Sequence, residues 1–118
     1  MSRDRRQWLE DIVESCGKIL RFTSGMSYDE FLEDEKTYDA VVRNLEIVGE
    51  AAKNVPEDIR ISCPGIEWRK IAGLRDVIAH EYFGIDNDIL WDIIQNKVES
   101  LQQEGRRVMG AENKVQQE

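Results

Sequence analysis

The chain predicts an all-α fold, an antiparallel bundle of about four to five helices. Three observations predict it. Apolar residues recur at three- and four-residue spacing through most of the 118 residues, which is the period of a helix with one buried face. Glycine, proline and short polar residues stand where such helices would stop and start. No stretch shows the period-two alternation of a half-buried strand.

The first element carries Trp8, Leu9, Ile12, Val13, Cys16, Ile19 and Leu20 on one face and predicts a helix over about 3–23,. Ser24-Gly25 ends it, with Gly25 suited to a left-handed C-terminal cap. Ser27 followed three residues later by Glu30 reads as a capping box for a short acidic helix from Tyr28 to about Asp34. A third helix, about 35–54, aligns Tyr38, Val41, Val42, Leu45, Val48, Ala52 and Val55, and Pro56 marks its end,. Its Gly49, Ala51 and Ala52 are small enough to let another helix approach closely.

The link from Glu57 to Gly65 has room for one helical turn before Pro64-Gly65 breaks it. A fourth long helix should begin near Ile66 and carry Trp68, Ile71, Leu74 and Ile78, with a stop near Gly84. Asp86 should cap the last helix, whose apolar stripe is Ile89, Leu90, Ile93, Ile94, Val98 and Leu101. Gly105 and Gly110 flank a basic patch. Residues 1–110 read as a single helical domain and 111–118 as a frayed tail.

Composition narrows the class of function. The apolar fraction is 41%, and no apolar run approaches the ~20 residues that span a bilayer. Acidic residues interrupt the start of the chain, so no export signal is expected. Two cysteines, Cys16 and Cys63, are too few for a disulfide framework or a zinc cluster, which places the protein in the cytoplasm,. A net charge of −8 argues against broad, non-specific nucleic-acid binding,. The charge is uneven, however. Glu30, Glu33, Asp34 and Glu35 cluster early, whereas Arg60, Arg69, Lys70 and Arg75 occupy the middle. That asymmetry can leave one positive face on an acidic molecule or attract a basic partner.

The segment Arg75-Asp76-Val77-Ile78-Ala79-His80-Glu81-Tyr82 concentrates the chemistry, since it holds the only histidine. Imidazole is the side chain whose ordinary pKa lies nearest neutrality. Arg75 offers a permanent charge for a phosphate, and Tyr82 a phenol that can donate a hydrogen bond or accept a modification. Asp76 and His80, four residues apart, share a helix face, so Asp76 can orient the imidazole. Arg75 and His80 lie ~140° apart on an ideal helix and do not stack.

Metal-free RNA cleavage needs both a base and an acid. One imidazole per chain therefore suggests a composite site in a two-fold dimer. The same spacing also fits a capping histidine and a surface ion pair. Glu46 and Glu50 could pair one turn apart, but no histidine or cysteine at matching spacing completes a metal site. Trp68 and Trp91 read as packing anchors rather than platforms for bases.

At these residues the chain resembles the HEPN superfamily and, within it, the HepT-like toxin group. The group's Arg-x4-His-x-Tyr motif stands here as Arg75, His80 and Tyr82, with Asp76 after the arginine. Residues 38–53, 66–74 and 84–91 are similar to its central helix, its lead into the motif and its entry to the last helix. The resemblance spans about residues 5–104. It implies a HEPN-like helical homodimer acting as a metal-independent ribonuclease on RNA, with Arg75 and His80 catalytic and no cofactor. It also implies a toxin paired with a minimal nucleotidyltransferase antitoxin, which adenylylates the motif tyrosine, here Tyr82. The alternative is an inactive helical dimer that serves as an interaction or RNA-binding module.

Overall fold

The computed structural model describes the backbone of residues 3–80 and 85–117 and the side chains of residues 6–74 and 85–111. These residues form only helices: α1 (Arg3–Thr23), α2 (Tyr28–Glu33), α3 (Glu35–Asn54), α4 (Glu57–Ser62), α5 (Trp68–His80), α6 (Asn87–Asn96) and α7 (Val98–Gln117). The all-α bundle expected from the periodicity is what forms. Two of the seven, α2 and α4, are six residues long and act as corners between the longer rods.

Local chemistry accounts for the ends. Gly25 adopts φ 76, the left-handed conformation that an L side chain disfavours. Ser27 and Glu30 complete the reciprocal capping box, with Glu30 N donating to Ser27 Oγ at 3.1 Å and Ser27 N donating to Glu30 Oε1 at 3.0 Å,. Those bonds hold the Glu30 carboxyl below its ordinary range. Asp34, which the composition places in an acidic cluster, ends α2 and caps α3 by accepting from Thr37 N at 3.0 Å.

Helix α3 is central, packing against both α1 and α5. Its Gly49, Ala51 and Ala52 are buried, and their small size permits that double contact. Helices α1 and α7 run antiparallel. Gln102 Nε2 donates to Val13 O at 3.4 Å and lies 3.0 Å from where a Cβ on Gly17 would stand. One turn on, a Cβ on Gly105 would meet Val13 Cγ2 at 2.8 Å. The core gathers Leu9, Ile12, Cys16 and Ile19 of α1 with Val41, Leu45, Val48 and Ala52 of α3 and Leu90, Ile94, Val98 and Leu101. Cys16 is a core residue, and burial pushes its thiol up to about 12.

Two boundaries differ from the sequence reading. Helix α5 starts at Trp68 rather than Ile66, because Ile66 N is used in the preceding turn, donating to Cys63 O at 3.1 Å. The expected single last helix is two. Lys97 departs to φ −119, ψ −36 between α6 and α7. Lys97 N still donates to Ile93 O and Leu101 N to Lys97 O. The four-residue spacing thus continues across the break, which is why the stripe in the sequence does not reveal it.

The close α1–α7 contact makes a testable difference between two glycines of α7. Gly105→Ala should destabilise the protein by ~1–3 kcal/mol, because its methyl overpacks against Val13. Gly110→Ala, which meets nothing within 4 Å, should be neutral or stabilising by up to ~1 kcal/mol. Urea unfolding of both variants checks the contrast.

Candidate functional site: helix α5 and its anchors

Helix α5 carries Arg75, Asp76 and His80 on one continuous helical backbone. Their side chains lie outside the described residues, as does Tyr82 altogether. Helical register still orders the positions. Trp68, Ile71, Ala72 and Leu74 pack against the core. Position 75 falls ~20° from Trp68 around the axis. Position 80 falls on the opposite flank, ~40° or less from positions 69, 73 and 76. That flank is open at the levels described: Arg69 is exposed, and a Cβ on Gly73 would meet nothing within 4 Å.

The segment is tied down at both ends. Before it, Trp68 is buried and its Nε1 donates to Cys63 O at 3.3 Å. Arg107 of α7 donates through Nη2 to Ser62 O at 3.1 Å and to Cys63 Sγ at 3.3 Å. Arg60 closes the preceding corner by donating to Val55 O at 3.0 Å and Ala52 O at 2.9 Å. The Cys63 thiol is free and buried, at 2% exposure.

After the segment, Ile85 packs on the core and Asp86 caps α6, accepting from Asp88 N at 3.0 Å and Ile89 N at 3.3 Å. Tyr38 OH donates to Asn87 Oδ1 at 2.5 Å and Tyr28 OH to Asp88 Oδ1 at 2.7 Å. Phe31 and Trp91 fill the space beneath, their ring centroids 5.3 Å apart. Both tryptophans are packing anchors, as expected. The start of α5 adjoins the C-terminal end of α3, and the chain beyond it returns to Tyr38 near that helix's N-terminal end. Helices α3 and α5 are therefore antiparallel.

Sequence reasoning did not single out the two tyrosine anchors or Arg107. Tyr38 appears only as part of an apolar stripe, and a partner 49 residues away leaves no local signal. Arg107 appears only as part of a basic patch. Among the described residues no group of three or more His, Cys, Asp or Glu is placed to hold a metal ion, and Glu46 and Glu50 are both half-buried. Two open depressions, of about 470 and 420 Å³, flank α4 and are lined by residues such as Ile61 and Cys63. They lie at the end of α5 away from His80.

The family model described as ribonuclease HepT-like matches residues 12–108. The protein named "Putative RNase MJ0127" of Methanocaldococcus jannaschii is 50% identical over 96 residues, covering 81% of this chain and 79% of that one. The "Probable ribonuclease HepT" of Thermococcus cleftensis is 44% identical over 101 residues, covering 86% and 92%. A second M. jannaschii protein, "Putative RNase MJ1380", is 38% identical over 102 residues, covering 86% and 94%. No solved structure shows significant similarity to the chain.

The anchor after the segment predicts an alkaline transition. Donation to the Asp88 carboxylate pushes the Tyr28 phenol up to about 12, above its unfolded value of ~10. A raised folded pKa stabilises fully below pH ~10 and loses that contribution as pH rises through about 12,. Tyr28→Phe should flatten the fall in unfolding midpoint across this window, and tyrosinate absorbance should lose a phenol that titrates at about 12. Tyr38→Phe should cost ~0.5–1.5 kcal/mol at neutral pH, measured by urea unfolding.

Proposed function

Since the chain belongs to the ribonuclease HepT-like family, we propose that it is an endoribonuclease whose acid–base groups are protein side chains and whose site is shared between two copies. The observation that carries this reading is the placement of Arg75, Asp76 and His80 on one helix anchored at both ends. A two-fold dimer along α5 brings two imidazoles and two guanidiniums to one phosphate. One His80 takes the proton of the 2′-hydroxyl, whose oxygen attacks the neighbouring phosphorus. The partner's imidazolium gives its proton to the departing 5′-oxygen. The products are a 2′,3′-cyclic phosphate and a 5′-hydroxyl. Arg75 stabilises the charge that gathers on the phosphoryl oxygens, and Asp76 holds the imidazole in register.

In this reading the ribonuclease is a toxin, and Tyr82 is its brake. A nucleotidyltransferase partner moves an adenylyl group from ATP to the phenol oxygen and releases pyrophosphate. The added phosphate repels the RNA backbone. The net charge of −8 favours a second reading, an inactive helical dimer that docks the partner without cutting RNA. An activity assay separates the two.

His80→Ala and Arg75→Ala should each abolish RNA cleavage and growth inhibition with helicity intact, since loss of an acid–base group removes ~10²–10⁴ in rate. Chelation by EDTA should leave cleavage unchanged; full activity of His80→Ala or a strict magnesium requirement overturns the mechanism. Light scattering should give about twice 13.7 kDa, and a clean monomer at high concentration removes the shared site. Incubation with the nucleotidyltransferase and ATP should add adenylyl mass to the Tyr82 peptide and stop cleavage. Tyr82→Phe should escape the adduct.

A further inference from the structure

Arg69 stands out among the cations near α5. It is exposed, and no hydrogen bond or ion pair ties it to any described residue. Its neighbours are committed. Lys70 Nζ lies 2.7 Å from Glu67 Oε2 and Lys97 Nζ 3.7 Å from Glu67 Oε1. Arg60 is engaged with backbone carbonyls of α3, and Arg107 holds Glu104 at 2.8 Å.

Arg69 is also badly placed for stability. It is the second residue of α5, whose first turn contains no acidic residue. The N-terminal end of a helix carries partial positive charge, so a cation there opposes the macrodipole. An unpaired residue that works against its own helix is the kind of local conflict expected at functional positions.

Its place on the helix supplies the function. Positions 69, 73, 76 and 80 fall within ~60° of one another around the axis, and positions 69 and 80 are ~16 Å apart along it. Gly73, midway, leaves open space rather than a wall. The described part of the flank that bears position 80, from Arg69 to Gly73, is thus open.

Resting on the ribonuclease reading above, we propose that Arg69 is a substrate-positioning residue that binds an RNA backbone phosphate remote from the one cleaved. A separation of ~16 Å corresponds to about five nucleotides of a stacked strand at ~3.4 Å each, and to fewer of an extended one. In a two-fold dimer whose axis passes near His80, the two Arg69 residues sit at opposite ends of the shared cleft. They give a net acidic protein two local points of attraction for a polyanion. Asp76 also lies on this flank, one turn from position 80.

The test uses the full chain and fluorescent single-stranded oligoribonucleotides of graded length. Binding is followed by anisotropy in the His80→Ala background, and turnover with His80 present. Arg69→Ala should weaken binding of a strand of about ten nucleotides roughly fivefold or more. It should also lower the slope of log K against log salt by ~1.4, the loss of two single-strand phosphate contacts, one from each copy. The KM for the long strand should rise with kcat unchanged, and turnover of a dinucleotide should not move. Arg69→Lys should restore the slope. Because Arg69 opposes the helix dipole, the thermal midpoint of Arg69→Ala should stay level or rise.

An unchanged salt slope overturns the proposal. A lowered midpoint, or a shift from dimer to monomer, overturns it in favour of a structural role. If the unsubstituted chain neither binds nor cuts RNA, the ribonuclease reading has failed and Arg69 falls with it. Cutting by the unsubstituted chain with no effect of Arg69→Ala sinks only the Arg69 assignment.

Discussion

Helix α5, which carries Arg75, Asp76 and His80, takes its position from antiparallel packing along α3. The contact needs a helix that can be approached from two sides. Gly49, Ala51 and Ala52 make α3 slim enough for α1 and α5 both to touch it. Apolar packing fixes the rod, but packing alone leaves a helix free to slide or roll by a fraction of a turn. Hydrogen bonds at the two ends remove that freedom. Cys63 O takes the Trp68 indole at one end, and Tyr38 and Tyr28 hold Asn87 and Asp88 at the other. Acid–base chemistry is sensitive to displacements of about an ångström, so the chemistry proposed for this helix would benefit from tethers on both sides of it.

The charged residues divide between those that hold the fold together and those that do not. Arg60 and Arg107 satisfy carbonyls at the α4 corner, where helix ends leave orphan acceptors,. Asp34 and Asp86 satisfy orphan donors at helix starts. These ions do structural work at short range, and their charge is largely spent there. A net charge of −8 therefore says little about any one face. What a polyanion meets is set by the few cations left uncommitted, and the open flank of α5 carries one.

The helical class, the caps at Ser27 and Asp86 and the stop at Gly25 were all legible in the sequence, because each arises from residues within a few positions of one another. Spacing of three and four marks a helix face, and a side chain that caps its own backbone needs no distant partner. The grouping of Arg75, Asp76 and His80 on one helix was legible for the same reason. So was the family, through runs of residues that resemble it on both sides of the motif.

Tertiary structure alone decided the rest. The break at Lys97 is invisible to periodicity because the stripe from Ile94 to Val98 and Leu101 keeps its spacing across it. Tyr38, Tyr28 and Arg107 find partners 49, 60 and 45 residues away, a pairing that no local pattern encodes. Likewise the sequence lists Arg69 beside Lys70 as equals. The fold brings Lys97 as well as Lys70 to Glu67, while Arg69 stays exposed. Short-range chemistry fixed the elements and their ends; the contacts between distant elements, which depend on how rods pack, fixed which side chains are used up and which remain.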